Sequence, residues 1–199
     1  MNEESVNKPE NTPKQKSGSF AVSVLEWLEL FVISFSAVLL VITFIVRHSP
    51  VNGTSMYDTL NHGDILLVSD LFYTPERGDI VVVQSAQYGY ETPLVKRVIA
   101  RGGDTLMIDF ETWTVTVNGE TVYEPYVTRV PNVSMRQPYN GYSYPLEIPE
   151  GYLFVMGDNR NGSTDSRART DVGLIDERLV VGHVLFRIYP FNAFGTLEQ

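Results

Sequence analysis

One stretch of this 199-residue chain constrains its fold more than any other. No charged residue occurs from Phe31 to Val46, and Leu28–Val46 contains only Glu29. Taken from Val22, the segment 22–46 makes about 37 Å of helix at about 1.5 Å per residue. That crosses a hydrocarbon core of about 30 Å with some tilt. Glu26 and Glu29 then fall in the first turns near the headgroups, beside Trp27 as an interfacial anchor. Two other readings fit less well. A cleavable secretory signal has a shorter apolar centre and a small-x-small site after it, whereas this chain continues Arg47-His48-Ser49-Pro50. A buried core helix would not be expected directly after a polar tail.

Residues 1–18, rich in Glu, Asn, Lys, Pro and Ser, offer almost nothing to bury and read as a disordered tail. Lys8, Lys14 and Lys16 precede the span, and only Arg47 follows it closely. That bias places the N-terminus inside and the C-terminal domain outside, after a single pass through a membrane.

Residues 49–199 form the working domain. Apolar runs rich in Val and Ile recur at Ile65–Val68, Ile80–Val83, Leu94–Ala100, Leu106–Ile108, Val115–Val117, Leu153–Met156 and Val180–Ile188. Their lengths and β-branched content predict strands, so the fold class is mainly β after one N-terminal helix. Asn118-Gly119, set between two alternating segments, predicts a type I′ hairpin. Residues 126–149, rich in Pro, Asn, Ser and Tyr, predict a long surface excursion.

Composition excludes several chemistries. The chain has no cysteine, which removes disulfide scaffolds, thiolate metal sites and cysteine nucleophiles. His48, His62 and His183 are scattered without metal-ligand spacing, so no metal is expected. A net charge of −9 with no basic run argues against nucleic acid as a partner.

Beyond Arg47 every positive charge is arginine except Lys96, which lies inside the apolar run Leu94–Ala100. Strand alternation puts Lys96, Val98 and Ala100 on one face. Such a lysine is either an edge-strand gatekeeper or a desolvated amine. Burial lowers an amine's pKa and supplies a neutral base, which arginine cannot do. The segment Gly53-Thr54-Ser55-Met56-Tyr57-Asp58-Thr59-Leu60 is either a helix start capped by Thr54 or Ser55, or a turn presenting a hydroxyl. Gly157-Asp158-Asn159-Arg160-Asn161-Gly162-Ser163-Thr164-Asp165-Ser166-Arg167 is either a polar surface loop or a loop that builds a site.

In their order along the chain, the apolar span, Gly53–Leu60, Gly63–Val68, Lys96–Asp104 and Gly157–Arg167 resemble the type I signal peptidases, the bacterial leader peptidases that act as serine–lysine endopeptidases. The resemblance covers the anchor and nearly all of the outer domain. It implies a β-rich catalytic domain of coiled antiparallel sheets. Ser55 is implied as nucleophile, Lys96 as general base and Ser163 as the hydroxyl orienting the amine. Arg97, Asp165 and Arg167 are implied as an ion-pair cluster bracing the site. Val51, Met56, Leu60 and Val95 are implied as lining pockets for small side chains. The implied activity is removal of N-terminal signal peptides from secretory preproteins after small-x-small sites, through an acyl-enzyme and without a cofactor. The implied surroundings are the lipid bilayer and the secretion machinery. Two positions depart from the family pattern: Asp58 stands where proline is usual, and Gly53 where some members carry a serine.

Overall fold

The computed structural model describes residues 19–45, 47–84 and 89–197. The tail 1–18 lies outside them. Contacts divide the chain into two compact units, residues 1–42 and 43–199.

A single long helix, α1, runs Ser19–Ile45, three residues earlier at its start than the apolar pattern predicts. Within it Val22–Leu40 has a mean hydropathy of 1.9 and buries none of its residues. Its length and composition suffice to cross a membrane.

Eleven strands follow among the described residues: β1 Arg47–Pro50, β2 Ile65–Ser69, β3 Ile80–Val83, β4 Leu94–Arg101, β5 Thr105–Asp109, β6 Thr114–Val117, β7 Glu120–Thr121, β8 Leu146–Glu147, β9 Tyr152–Met156, β10 Ile175–Asp176 and β11 Val180–Tyr189. They form a seven-stranded sheet, ordered β1-β2-β11-β3-β4-β9-β10, and a four-stranded sheet, ordered β7-β6-β5-β8. Every pairing is antiparallel. The fold is thus mainly β, as the Val- and Ile-rich runs predict. The hairpin between β6 and β7 turns at Asn118 and Gly119, both with positive φ, as a type I′ turn requires.

Three apolar clusters explain why these runs pair as they do. Ile99, Ala100, Phe154 and Met156 of the large sheet pack against Leu106, Ile108, Val115 and Val117 of the small one. Elsewhere in the large sheet β3 is buried throughout. Ile80 and Val82 join one cluster with Val95, while Val81 and Val83 join another with Val98 and Val155. A strand covered on both faces loses the polar half of its alternation, which is why Ile-Val-Val-Val is uninterrupted.

The expected alternation of Lys96, Val98 and Ala100 does not hold to its end. A register shift between Val98 and Ala100 interrupts the pairing of β4 with β9. Ala100 consequently packs with Ile99 in the inter-sheet core, apart from Val98. A bulge adds one residue and so reverses the facing beyond it.

Candidate active site

Strand β4 lies between β3 and β9, in the interior of the large sheet. Lys96 is therefore no edge gatekeeper. It is 2% exposed, and its Nζ sits 2.7 Å from Ser55 Oγ and 3.0 Å from the Val95 carbonyl oxygen. Burial drives the amine from its ordinary 10.5 down to about 8, against the opposing pull of the Asp165 and Asp158 carboxylates; the Arg167 guanidinium lowers it further.

Ser55 reaches this position on a turn, not a helix. Pro50 ends β1, and Val51 is held by a ladder-like pair of bonds, its N–H donating to the Asp64 carbonyl and its own carbonyl accepting from Gly63. The Tyr57 N–H donates to the Thr54 carbonyl at 3.1 Å and that of Leu60 to the Met56 carbonyl at 2.8 Å. Gly53 has a φ of +94°, a backbone region that costs an L side chain energy. Its N–H donates to His62 Nδ1 at 3.1 Å. A serine at Gly53 would therefore be strained, although the space beside it is open. The Ser55 N–H has no hydrogen-bond acceptor among the described residues, while the Ser55 carbonyl accepts from Asn159 N–H at 3.0 Å. Asp58 accepts from Thr128 Oγ1 at 2.6 Å, tying the turn to the excursion.

The polar loop after β9 is not a surface loop, with Asp158, Arg160, Ser163, Asp165, Ser166 and Arg167 all buried. Arg97 forms a two-toothed pair, but with Asp158: Nε lies 2.9 Å from Oδ1 and Nη2 2.8 Å from Oδ2. Thr59 Oγ1 donates to the same Asp158 carboxylate at 2.6 Å, which links the Gly53–Leu60 turn to the ion pair. Asp165 pairs with Arg167 through Nε at 2.8 Å and Nη2 at 2.9 Å. Burial alone would raise the Asp165 carboxyl; the Arg167 guanidinium, the Gly157 N–H and the nearby Ser163 hydroxyl together hold it below the ordinary carboxylate range. The expected cluster of Arg97, Asp165 and Arg167 is thus two separate pairs, and Arg97's partner is a residue outside that expected trio.

Ser163 does not make the expected bond to the Lys96 amine. Its Oγ is buried and has no partner in hydrogen-bond geometry; the amine is held by Ser55 and Val95 instead. Val51, Met56, Leu60 and Val95 do gather in one apolar cluster with Leu66, Val68, Ile80 and Val82. Met56 and Leu60 are closed to solvent, and Val51 and Val95 are the more exposed of the four.

Asp158, Thr59, Glu124 and Arg160 were not singled out by the sequence. Asp158 and Arg160 stand in the polar loop that was; Glu124, on the connection after β7, carries no local signal at all. Among the described residues no group of acidic or histidine side chains could hold a metal ion.

A β-sheet core that buries a lysine amine against a serine hydroxyl is an arrangement in which an adjacent base could activate a hydroxyl. Residues 24–189 match the family described as "Signal peptidase, peptidase S26". The chain is 36% identical over 184 residues to signal peptidase I of Bacillus licheniformis, covering 90% of this chain and 96% of that protein. It is 36% identical over 199 residues to signal peptidase I T of Bacillus subtilis, covering 96% of this chain and 97% of that one. A crystal structure of a signal peptidase I from Enterococcus faecalis is 27% identical, covering 56% of this chain and 97% of that one, with a TM-score of 0.44. The chain belongs to the S26 signal peptidase family and is a serine endopeptidase.

Proposed function

We propose that this chain removes signal peptides from secretory preproteins by a Ser55–Lys96 dyad, while α1 anchors it in the plasma membrane with the catalytic domain outside. The observation that carries the reading is the 2.7 Å approach of Lys96 Nζ to Ser55 Oγ inside a buried setting that lowers the amine to about 8.

The cleavage region of the preprotein lies extended at the outer face of the bilayer. Edge strand β1 leads directly into Val51–Ser55, and an extended peptide can add its backbone beside that segment. Val51, Met56, Leu60 and Val95 lie together in one buried apolar cluster, with Met56 next to Ser55 and Val95 next to Lys96 in the chain, and the proposed substrate contacts are to the edge of that cluster. Small-x-small specificity is proposed to arise at that edge.

Neutral Lys96 accepts the Ser55 proton as Oγ bonds to the scissile carbonyl carbon. The oxyanion draws on the unengaged Ser55 N–H. The C–N bond then breaks, the Lys96 ammonium returns its proton to the leaving amine, and an ester on Ser55 remains. Water attacks that ester, giving a proton to Lys96; the Ser55 oxygen departs and takes the proton back. Ser163 Oγ, buried beside Ser55 and unpartnered, is the group that can meet the ammonium between these steps. Each step conserves protons within the dyad, so the reaction is complete without a cofactor.

The Lys8, Lys14 and Lys16 bias supports a cytoplasmic N-terminus, and the bilayer and secretion machinery are the proposed surroundings. The test is incubation of the detergent-solubilised chain with a labelled preprotein. Wild type should release the mature protein, and Ser55→Ala should not. Equal cleavage by both contradicts the dyad.

A further inference from the structure

Two ion pairs hold a single glycine, and only one of them was expected. Gly157 donates its N–H to Asp165 Oδ2 at 2.9 Å, within the Asp165–Arg167 pair. Its carbonyl accepts from Arg160 Nε at 3.1 Å. Arg160 is fully buried and pairs with Glu124, Nη1 at 3.1 Å and Nη2 at 2.5 Å from the two carboxylate oxygens. The two pairs are joined, because the Arg160 carbonyl accepts from Arg167 Nη2 at 2.6 Å.

Gly157 occupies a place with no spare room. A Cβ on it would overlap the Ser55 carbonyl oxygen and the Ser163 side chain. The location of its backbone therefore sets how closely the polar loop approaches the nucleophile turn, and Asn159, two residues on, bonds the Ser55 carbonyl. Glu124 hydrogen-bonds to Arg160 and Tyr126, not to Ser55 or Lys96. It comes from the connection that follows the β6–β7 hairpin. Two residues later the Tyr126 ring lies 3.7 Å beneath the Arg97 guanidinium, and the Tyr126 hydroxyl donates to Glu124 at 3.3 Å. Glu124-Pro125-Tyr126 thus grips two of the buried arginines from the side of the small sheet.

We propose that Glu124 is a positioning residue: by fixing Arg160, it fixes the Gly157 carbonyl and so the register between the polar loop and Ser55. The proposal rests on the Ser55–Lys96 reading. A buried arginine without its carboxylate turns or draws in water, because an uncompensated charge in the interior is costly. Its Nε then leaves Gly157, and the loop loses one of its two anchors. Displacements of about 1 Å around reacting atoms cost about a hundredfold in rate.

The experiment measures kcat, KM and thermal midpoint for the full chain in detergent, on a peptide containing a signal cleavage site. Glu124→Gln should lower kcat about ten- to hundredfold with KM nearly unchanged. The double variant Glu124→Leu/Arg160→Met removes both charges and should regain the thermal midpoint, since apolar replacement of a buried pair is neutral or stabilising. Its kcat should stay low, because Gly157 has lost its Nε donor. A purely structural ion pair predicts the opposite: stability and kcat recover together, and that result overturns the proposal. So does Glu124→Gln with wild-type kcat, or a loss confined to KM. Ser55→Ala is assayed alongside. If it cleaves, the dyad reading falls and takes this proposal with it; if it is dead while the double variant is fully active, only the role of Glu124 falls.

Discussion

Lys96 Nζ lies 2.7 Å from Ser55 Oγ while also donating to the carbonyl of Val95, its own neighbour in β4, at 3.0 Å. The second contact matters as much as the first. A lysine side chain has four rotatable bonds, and burial together with the bond to Val95 confines its head to one place. The amine is aimed by its own strand, so the Ser55–Lys96 contact exists before any substrate arrives.

The buried amine should make wild type less stable than Lys96→Met at neutral pH. Between about 8 and 10.5 the amine is neutral when folded and protonated when unfolded. The unfolded state binds more protons there, so stability rises with pH across that window. Below about 8 the folded state carries the full penalty, about 3 kcal/mol at 1.4 kcal/mol per pKa unit. Thermal unfolding of Lys96→Met should therefore occur above wild type at pH 7, with the gap narrowing toward pH 10. A gap independent of pH contradicts the depressed amine.

Gly53→Ser and Gly53→Ala should both lose activity and about 1 kcal/mol of stability, because φ +94° is strained for either side chain. Circular-dichroism melts and kcat for the pair check this. A Gly53→Ser enzyme faster than wild type, with Gly53→Ala slower, shows instead that an added hydroxyl serves the oxyanion.

Asp158→Asn leaves Arg97 buried beside a neutral partner. Breaking a buried pair costs about 3–5 kcal/mol, so the thermal midpoint should fall markedly. The Asp158 carboxylate raises the Lys96 amine; its removal should move the midpoint of the pH–rate profile downward. An upward shift contradicts the stated electrostatics.

Ser163→Ala should lower kcat by about ten- to a thousandfold, in the range for losing a proton-transfer or orienting partner. Stability should fall slightly, because the Ser163 hydroxyl helps stabilise the buried Asp165 carboxylate. Wild-type kcat in this variant assigns the aiming of Lys96 wholly to the Val95 carbonyl.

The large strands were legible because buried Val- and Ile-rich runs leave their mark in any order of pairing. β1 was not: Arg-His-Ser-Pro has no apolar pattern, and it is a strand only because β2 is beside it. The break in β4 leaves no mark in the sequence for a related reason, since the residues around a bulge look like ordinary strand. Lys96 stood out as a lone amine in an apolar run. Its nearness to Ser55 did not, being a contact across 41 residues that only the family resemblance suggested. The pairing of Arg97 with Asp158 spans 61 residues, and several carboxylates could have served it equally well. Glu124 sat in a polar, proline-containing stretch that reads as surface, and nothing local reveals that an arginine from the polar loop buries it.

The most direct measurement is a single-turnover pH–rate profile on a signal-peptide substrate, for wild type beside Lys96→Arg. Wild-type cleavage should rise with pH through a midpoint near 8, the value of the buried amine, as the neutral base becomes populated. Lys96→Arg keeps the charge but not the ability to shed it, and should be inactive at every pH in that range. Retained cleavage by Lys96→Arg, or a wild-type profile that does not rise between pH 6 and about 9, contradicts a lysine base.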